Sequence, residues 1–173
     1  MTASVRNRIV GLILAFAIFA ADQWLKAFVV YDLGLREVGQ SIELLPFFDF
    51  TRANNYGISL GMFQAGSTEM RWLLIAITSA IALFVFIWML REKTFSEILA
   101  LSFILGGALG NIRDRVNYGF VVDYADLHFG NFRPFLIFNL ADAAITIGVV
   151  IILARTLLSR EKPDQEAKVR PES

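Results

Sequence analysis

The sequence predicts an all-α membrane protein with four transmembrane helices. Of its 173 residues, 56% are hydrophobic and 18% charged, and the mean hydropathy is +0.57. A typical soluble domain is about a quarter charged. Four apolar stretches are long enough to cross a bilayer, which requires about 20 residues. We place these helices at about residues 9–30, 72–90, 95–112 and 135–158, within one integral membrane domain over residues 1–158.

The first apolar stretch follows Arg6 and Arg8 and has the outline of a cleaved signal peptide. Its apolar core is too long for that interpretation. Cleavage after Ala20 would also put the large side chain of Ile18 at a position that requires a small one. We therefore interpret this stretch as a retained transmembrane helix.

Basic residues near the helix ends predict the orientation. They precede helix 1, separate helices 2 and 3, and lie in the last turn of helix 4 and beyond it, which places both termini in the cytoplasm. These residues are Arg6, Arg8, Arg91, Lys93, Arg155, Arg160, Lys162, Lys168 and Arg170. The charged segment 159–173 contains two prolines, so we expect a disordered cytoplasmic tail.

The loop over residues 31–71 lies on the opposite side and is too long for a simple connection. Residues 41–51 alternate imperfectly between apolar and polar side chains, and Pro46 interrupts them. This pattern predicts two short strands or an interfacial flap. The sequence from Asn54 to Gly57 predicts a turn.

Polar residues from separate segments converge on the outer membrane face in this topology. They lie at the end of helix 1, the end of helix 3, the following loop and the start of helix 4. These residues are Asp22, Lys26, Asn111, Asp114, Arg115, Asp123, Asn139 and Asp142. Ionisable groups at membrane depth are costly, so they indicate a functional site by default.

Some of these residues have purely structural interpretations. Asp22 and Lys26 are four apart and could form an ion pair on one helix face. Asn139 could be a helix cap or an interhelical hydrogen-bonding group. Gly106 and Gly110 are typical of close helix packing. Asp142, within an apolar run, is the hardest to explain structurally.

Asp123 and Asp142 together permit acid–base chemistry. Two close carboxyl groups cannot both ionise cheaply, so the pair holds one proton near neutral pH. One member can then accept a proton from water while the other donates one to a carbonyl oxygen, as in aspartic proteases. This chemistry requires no metal, cofactor or nucleophilic side chain.

Three alternatives remain open at this point. The sequence from Gly57 to Gly61 matches the G-x-S-x-G pattern of a nucleophilic serine, here Ser59, with His128 as its base. A divalent metal could bind to carboxylates and imidazole; the candidate ligands are Asp123, Asp126, His128 and Asp142. The third alternative is a transporter or proton relay that uses the same aspartates.

Composition excludes several other classes. The chain has no cysteine, so thiol catalysis and disulfides are absent. Its net charge is zero, which gives no support for a nucleic-acid partner.

Five motifs in this order resemble those of the bacterial lipoprotein signal peptidases, also called signal peptidase II, aspartic peptidase family A8. The resemblance covers most of the chain. The motifs are Asp22-Gln23-Trp24-Leu25-Lys26, Asn55-Tyr56-Gly57, Gly106-Gly107-Ala108-Leu109-Gly110-Asn111-Ile112-Arg113-Asp114-Arg115, Val121-Val122-Asp123-Tyr124 and Phe138-Asn139-Leu140-Ala141-Asp142.

The resemblance implies an aspartic endopeptidase of the bacterial inner membrane. Its substrates would be diacylglyceryl-modified prolipoproteins, cut on the N-terminal side of the lipidated cysteine. Asp123 and Asp142 fall at the family's catalytic positions. Its supporting or substrate-binding positions correspond to Asp22, Lys26, Asn55, Gly107, Asn111, Arg115, Asn139 and Ala141.

The resemblance also implies a small periplasmic β-cradle and an interfacial, flap-like helix within the first outer loop. The active site would lie near the periplasmic face. We further expect a monomer that is sensitive to the cyclic peptide globomycin.

Overall fold

Four long helices form a bundle in the computed structural model, which describes residues 3–57 and 68–160. They are α1 (Ala3–Ala27, continued by the π-helical segment Phe28–Asp32), α2 (Thr68–Arg91), α3 (Phe95–Tyr118) and α4 (Leu140–Arg160). All four are long and apolar enough to cross a membrane, which confirms the predicted fold class. The chain is a multi-pass membrane protein.

Helix α3 is the centre of the bundle and packs against the other three helices. Its glycines allow this close approach. A Cβ atom on Gly106 would lie 2.6 Å from the carbonyl oxygen of Ala15, and one on Gly107 would lie 2.4 Å from that of Ala141. A Cβ atom on Gly110 would lie 2.4 Å from Asp22 Oδ2, so both Gly106 and Gly110 agree with the packing interpretation. The glycines bring α1 and α4 close to α3.

A three-stranded antiparallel sheet covers one end of the bundle. Its strands are β1 (Ser41–Leu45), β2 (Phe48–Asn55) and β3 (Val121–Leu127), in that order. The first two strands are those predicted on either side of Pro46. Asn54 and Asn55 still belong to β2 and not to the predicted turn, and the chain bends at Gly57. Gly57 has a φ of +96°, a conformation that favours glycine.

The interfacial helix predicted for the first outer loop is not found within residues 33–57. Residues 58–67 of that loop lie outside the described residues, as does the tail segment 161–173. Ser159 and Arg160, predicted to begin the tail, are the last residues of α4.

Strand β3 replaces the loop that the sequence predicts around Asp123. Its first six residues are all buried, because β2 pairs with it along one edge and Phe138 bridges to Ala125 on the other. A strand buried on both faces lacks the alternation by which strands are recognised. Asp123 is therefore held in a rigid element, in register with Ala53 of β2.

Helix α4 begins at Leu140 and not near residue 135 as predicted. The preceding residues are extended because Phe138 pairs with β3. Its N–H donates to the carbonyl of Ala125 at 3.1 Å, and its carbonyl accepts the N–H of Ala125 at 2.7 Å. Asn139 consequently caps the helix, and Asp142 lies in its first turn, near the start of helix 4 as predicted.

The two ends of the bundle differ in composition. At one end, Arg8 Nε donates to the carbonyl of Glu92 at 3.2 Å, and Arg155 lies 3.5 Å from Glu97. At the other end, here called the sheet end, α1 and α3 terminate, α4 begins and the sheet is attached. The polar residues predicted to converge all lie at the sheet end.

Candidate active site

Asn139 links the two aspartates that the sequence predicts to be catalytic. Its Nδ2 donates to Asp123 Oδ1 at 2.6 Å, and its Oδ1 accepts the backbone N–H of Asp142 at 2.9 Å. Asp142 Oδ2 in turn accepts the backbone N–H of Asn139 at 3.3 Å. This reciprocal capping box fixes the start of α4. The same residue therefore orients β3 and α4 with respect to each other.

Asn111 of α3 provides a second link to this pair. Its Nδ2 donates to Asp142 Oδ1 at 2.8 Å, and its Oδ1 accepts from Asn139 Nδ2 at 3.3 Å. The Oδ1 atom also accepts from Lys26 Nζ at 3.3 Å. Because Asn111 uses both ends of its amide, its orientation is determined by its partners, and so is that of the Asp142 carboxyl.

Lys26 joins α1 to α3 through its contacts with Asp114 and Asn111. It is only 4% exposed, and its Nζ lies 2.9 Å from Asp22 Oδ2 and 2.8 Å from Asp114 Oδ2. Asp22 Oδ1 accepts the backbone N–H of Ala141 at 3.0 Å. The ion pair predicted from the four-residue spacing is present, and it also ties α1 to the start of α4.

The electrostatics of Asp123 follow from its burial. This residue is 2% exposed, and removal from water raises the pKa of its carboxyl to about 6, with the charge of Asp142 acting in the same direction. Hydrogen bonds from Asn55 and Asn139 oppose the increase. Asp123 and Asp142 thus interact electrostatically, as proton sharing requires.

Arg115 has a hydrogen-bond donor in this region that has no partner among the described residues. Its Nε atom is buried and has no hydrogen-bond partner among the described residues. Its carbonyl oxygen accepts from Arg71 Nε at 2.8 Å, so α2 holds the end of α3 in place. A buried guanidinium N–H without a partner is costly, which makes it a candidate ligand-binding group.

An apolar groove of about 370 Å³ lies beside Asp142. It lies between the first turns of α4 and the extended segment before that helix. Its lining residues are Phe135, Leu136, Phe138, Asp142, Ala143, Thr146 and Ile147. The carboxyl of Asp142 is half-buried and borders a space suited to hydrocarbon.

The residues of the alternative metal site are not assembled. Asp126 pairs with Arg133 at 3.0 Å, and His128 Nε2 lies 3.2 Å from Asp49 Oδ2. Within residues 3–57 and 68–160, no three His, Asp or Glu side chains are placed to hold a metal ion. Ser59, the nucleophile of the alternative serine site, lies outside the described residues.

A proton path across the membrane is not apparent in the described helices. The acidic residues of the site lie at the sheet end, and the segments 8–21, 70–91, 98–113 and 143–160 contain no Asp or Glu. A relay across the bilayer would require ionisable groups along its length. The structure therefore offers no support for the transporter alternative.

Two residues of the network were not predicted as site residues. Gln23 Nε2 donates to Asp22 Oδ2 at 3.0 Å and to Asp114 Oδ1 at 3.1 Å. The hydroxyl of Tyr124 accepts the backbone N–H of Leu140 at 3.1 Å. A glutamine within an apolar helix is a signal that could have identified Gln23, whereas the role of Tyr124 depends on the unpredicted strand β3.

Comparison with known proteins identifies the family. The family model described as signal peptidase (SPase) II matches residues 14–158. The lipoprotein signal peptidase of Sphingopyxis alaskensis is 54% identical over 155 residues, covering 90% of this chain and 89% of the relative. That of Rhizorhabdus wittichii is 46% identical over 155 residues, covering 90% of each.

Two solved structures are similar to this chain in fold. A structure described as a bacterial membrane enzyme has a TM-score of 0.74 at 29% identity, covering 86% of this chain and 92% of that one. A second structure with the same description has a TM-score of 0.69 at 28% identity and covers 95% and 94%. The chain belongs to the signal peptidase II family of lipoprotein signal peptidases.

Proposed function

We propose that this protein is an intramembrane aspartic endopeptidase. It removes signal peptides from diacylglyceryl-modified prolipoproteins by cutting on the N-terminal side of the lipidated cysteine. The observation that carries this proposal is the hydrogen-bonded connection of Asp123 and Asp142 through Asn139. Two acids on separate elements with a shared orienting group are suited to peptide hydrolysis by an activated water.

The environments of the two acids suggest their roles. Asp123 is the more readily protonated member of the pair in this proposal, because burial and the neighbouring charge raise the pKa of its carboxyl to about 6. Asp142 accepts N–H donors at both oxygens and lies at a helix N-terminus, where a carboxylate is favoured. Asp142 then acts as the general base and Asp123 as the general acid.

The chemical step follows from this assignment. Asp142 takes a proton from water as the water oxygen attacks the scissile carbonyl carbon, and Asp123 donates its proton to the carbonyl oxygen. Transfer of the proton from Asp142 to the leaving nitrogen then breaks the C–N bond. Returning the hydroxyl proton to Asp123 restores the carbonyl group. The cycle consumes only one water, and neither aspartate forms a covalent bond.

The groove and Arg115 provide for substrate binding. The apolar groove beside Asp142 suits the hydrocarbon of a signal helix or of the diacylglyceryl group. The partnerless Nε of Arg115 is available to a backbone carbonyl of the substrate. In this proposal, the scissile bond binds next to the carboxyl of Asp142, which borders the groove.

The remaining predicted residues support this arrangement. Asp22 and Lys26 fix α1 against α3 and α4, Asn55 hydrogen-bonds the Asp123 carboxyl, and Gly107 admits the backbone of Ala141. We also propose that globomycin inhibits the enzyme. Because both aspartates belong to one chain, a monomer suffices for activity.

The protein belongs in the bacterial inner membrane in this proposal. Both termini are cytoplasmic, and the sheet end faces the periplasm. The basic residues Arg8, Arg91 and Arg155 lie at the end opposite the sheet, which supports this orientation by the positive-inside rule, although cations are also present at the sheet end.

Cleavage of a diacylglyceryl-modified prolipoprotein by the purified full chain tests the proposed function. Mass spectrometry of the products should locate the cut immediately before the lipidated cysteine. The same precursor without lipid is the matched control and should be cut far more slowly, because the groove then lacks its ligand. Equal cleavage of both precursors would refute lipid recognition, and cleavage of neither would refute the peptidase assignment.

A further inference from the structure

A second cavity at the sheet end lies between α1, α3 and the sheet. It has a volume of about 350 Å³, and neither Asp123 nor Asp142 lines it. Its wall contains three cationic and three aromatic side chains, which are those of Lys26, Arg52, Arg113, Tyr31, Tyr118 and Phe120. The proposed peptidase chemistry gives this cavity no role.

Arg52 is the most unusual residue of this cavity. It is only 6% exposed, and its Nε is buried without a hydrogen-bond partner among the described residues. Its Nη1 donates to the carbonyl of Ala53, and the guanidinium carbon lies 5.6 Å from the ring centre of Phe120. Buried charges are normally paired. The guanidinium group of Arg52 is therefore buried without an anionic partner among the residues described.

The neighbouring acids do not provide that anion. Asp114 is the one acidic residue among the described lining residues, and it is fully engaged. Its Oδ2 lies 2.8 Å from Lys26 Nζ and accepts the N–H of Val122 at 3.1 Å, while its Oδ1 accepts from Gln23 at 3.1 Å. Asp123 and Asp114 act on Arg52 only through their charge.

Arg113 adds a second guanidinium to the same cavity. It is exposed, and its Nη1 donates to the Oε1 of Gln23, an oxygen without charge. Lys26 is already committed to Asp22 and Asp114. The cavity therefore contains two arginines whose positive charges have no carboxylate partner within the described part of the chain.

The surroundings indicate which anion fits. Guanidinium groups bind phosphate through paired, charge-assisted hydrogen bonds. Tyr31 lies in the π-helical segment after α1, and Tyr118 is the last residue of α3. They are 63% and 46% exposed, as is typical of side chains at a membrane–water interface. Ala27 and Val30 make part of the wall apolar. A ligand with a phosphate and hydrocarbon chains matches all of these features.

We propose that this cavity binds the phosphate group of an anionic phospholipid, with Arg52 and Arg113 as its ligands. The proposal does not depend on the peptidase assignment. The substrate lipid in that assignment is diacylglyceryl, which has no phosphate, so the two lipids occupy different sites.

Binding of phosphatidylglycerol to the detergent-purified full chain tests this proposal, with retained lipid measured by native mass spectrometry. Arg113→Gln and Arg52→Gln should each raise the dissociation constant about tenfold, as expected for loss of a charge-assisted hydrogen bond. Arg36→Gln is the matched control for Arg113→Gln. Arg36 is exposed, as Arg113 is, but it does not line the cavity. Diacylglycerol with the same chains has no phosphate, so any retention of it through the groove beside Asp142 should not change in either arginine variant.

The outcomes separate the proposal from its rivals. Equal weakening by Arg36→Gln would indicate general charge attraction. If the arginine variants weaken retention of diacylglycerol as much as that of phosphatidylglycerol, the cavity binds hydrocarbon and not phosphate. Either result overturns the proposal. Displacement of the lipid by millimolar inorganic phosphate would indicate that the cavity binds free phosphate rather than a lipid headgroup, which also overturns the proposal. If Arg52→Gln does not fold, Arg113→Gln decides the result, because its side chain is exposed.

Discussion

Replacing Gly107 with alanine should damage the active site through a backbone clash. The added Cβ atom would lie 2.4 Å from the carbonyl oxygen of Ala141 and 2.9 Å from Ile145 Cγ1. Ordinary contacts between carbon and a carbonyl oxygen are about 3.3 Å or longer. Helix α4 must therefore move by about 1 Å away from α3, and Asp142 moves with it.

The size of the effect follows from this displacement. Overpacking of this kind costs about 1–3 kcal/mol of stability, while a catalytic group misplaced by about 1 Å can cost roughly a hundredfold in rate. We expect Gly107→Ala to lower the cleavage rate of a lipidated prolipoprotein about a hundredfold at a temperature where the variant is fully folded. Thermal unfolding in detergent gives that temperature.

Gly148→Ala is the matched control for this prediction. Its Cβ atom would lie 2.5 Å from the carbonyl oxygen of Ala100 and 2.6 Å from Ile104 Cγ1, so it strains the same pair of helices. Gly148 is about 9 Å farther along α4 than Asp142. The control should lose similar stability but little activity. Equal losses of activity in both variants, or full activity in Gly107→Ala, would refute the reasoning.

Three further predictions concern the network around the aspartates. The pKa of Asp123 is raised to about 6, so protonation of this carboxyl stabilises the fold and that stability is lost as the pH rises through about 6. The melting temperature should fall between about pH 4 and about pH 6, and less so in Asp123→Asn; an equal change in both proteins would contradict this. Asn139→Ala should cost about 1 kcal/mol through the lost helix cap, whereas Asn139→Ser keeps the cap. Both should lower cleavage about a hundredfold, because alanine has no donor and the shorter serine side chain cannot replace the Nδ2 that bonds Asp123; normal cleavage by the serine variant would contradict the orienting role. Lys26→Met leaves Asp22 and Asp114 without a cation and should cost about 3–5 kcal/mol in denaturation measurements, whereas the exposed Lys93→Met should cost less than about 0.5 kcal/mol. Similar values for the two lysine variants would show that the buried ion pair is not structural.

The sequence predicted the helices and the convergence of polar residues because both leave strong local signals. Four apolar stretches imply four spanning helices, and their alternation places Asp22, Lys26 and Asn111 at one end. The four-residue spacing of Asp22 and Lys26 also predicted their ion pair. Such features depend on composition and helical period, which a single sequence displays directly.

The elements that the sequence did not predict depend on contacts between distant segments. Strand β3 is buried on both faces and has no alternation. The start of α4 is shifted because Phe138 pairs with Ala125. The unpartnered Nε atoms of Arg52 and Arg115 can be recognised only when every neighbouring acceptor is known.

Cleavage by Asp123→Asn and Asp142→Asn tests the central claim most directly. Asparagine keeps the shape of each side chain but can neither accept a proton from water nor donate one as a carboxylic acid. The wild-type protein should cut a lipidated prolipoprotein before its cysteine, and both variants should fold but show no turnover. Near wild-type turnover by either folded variant would show that its aspartate is structural and that the paired-acid mechanism is wrong.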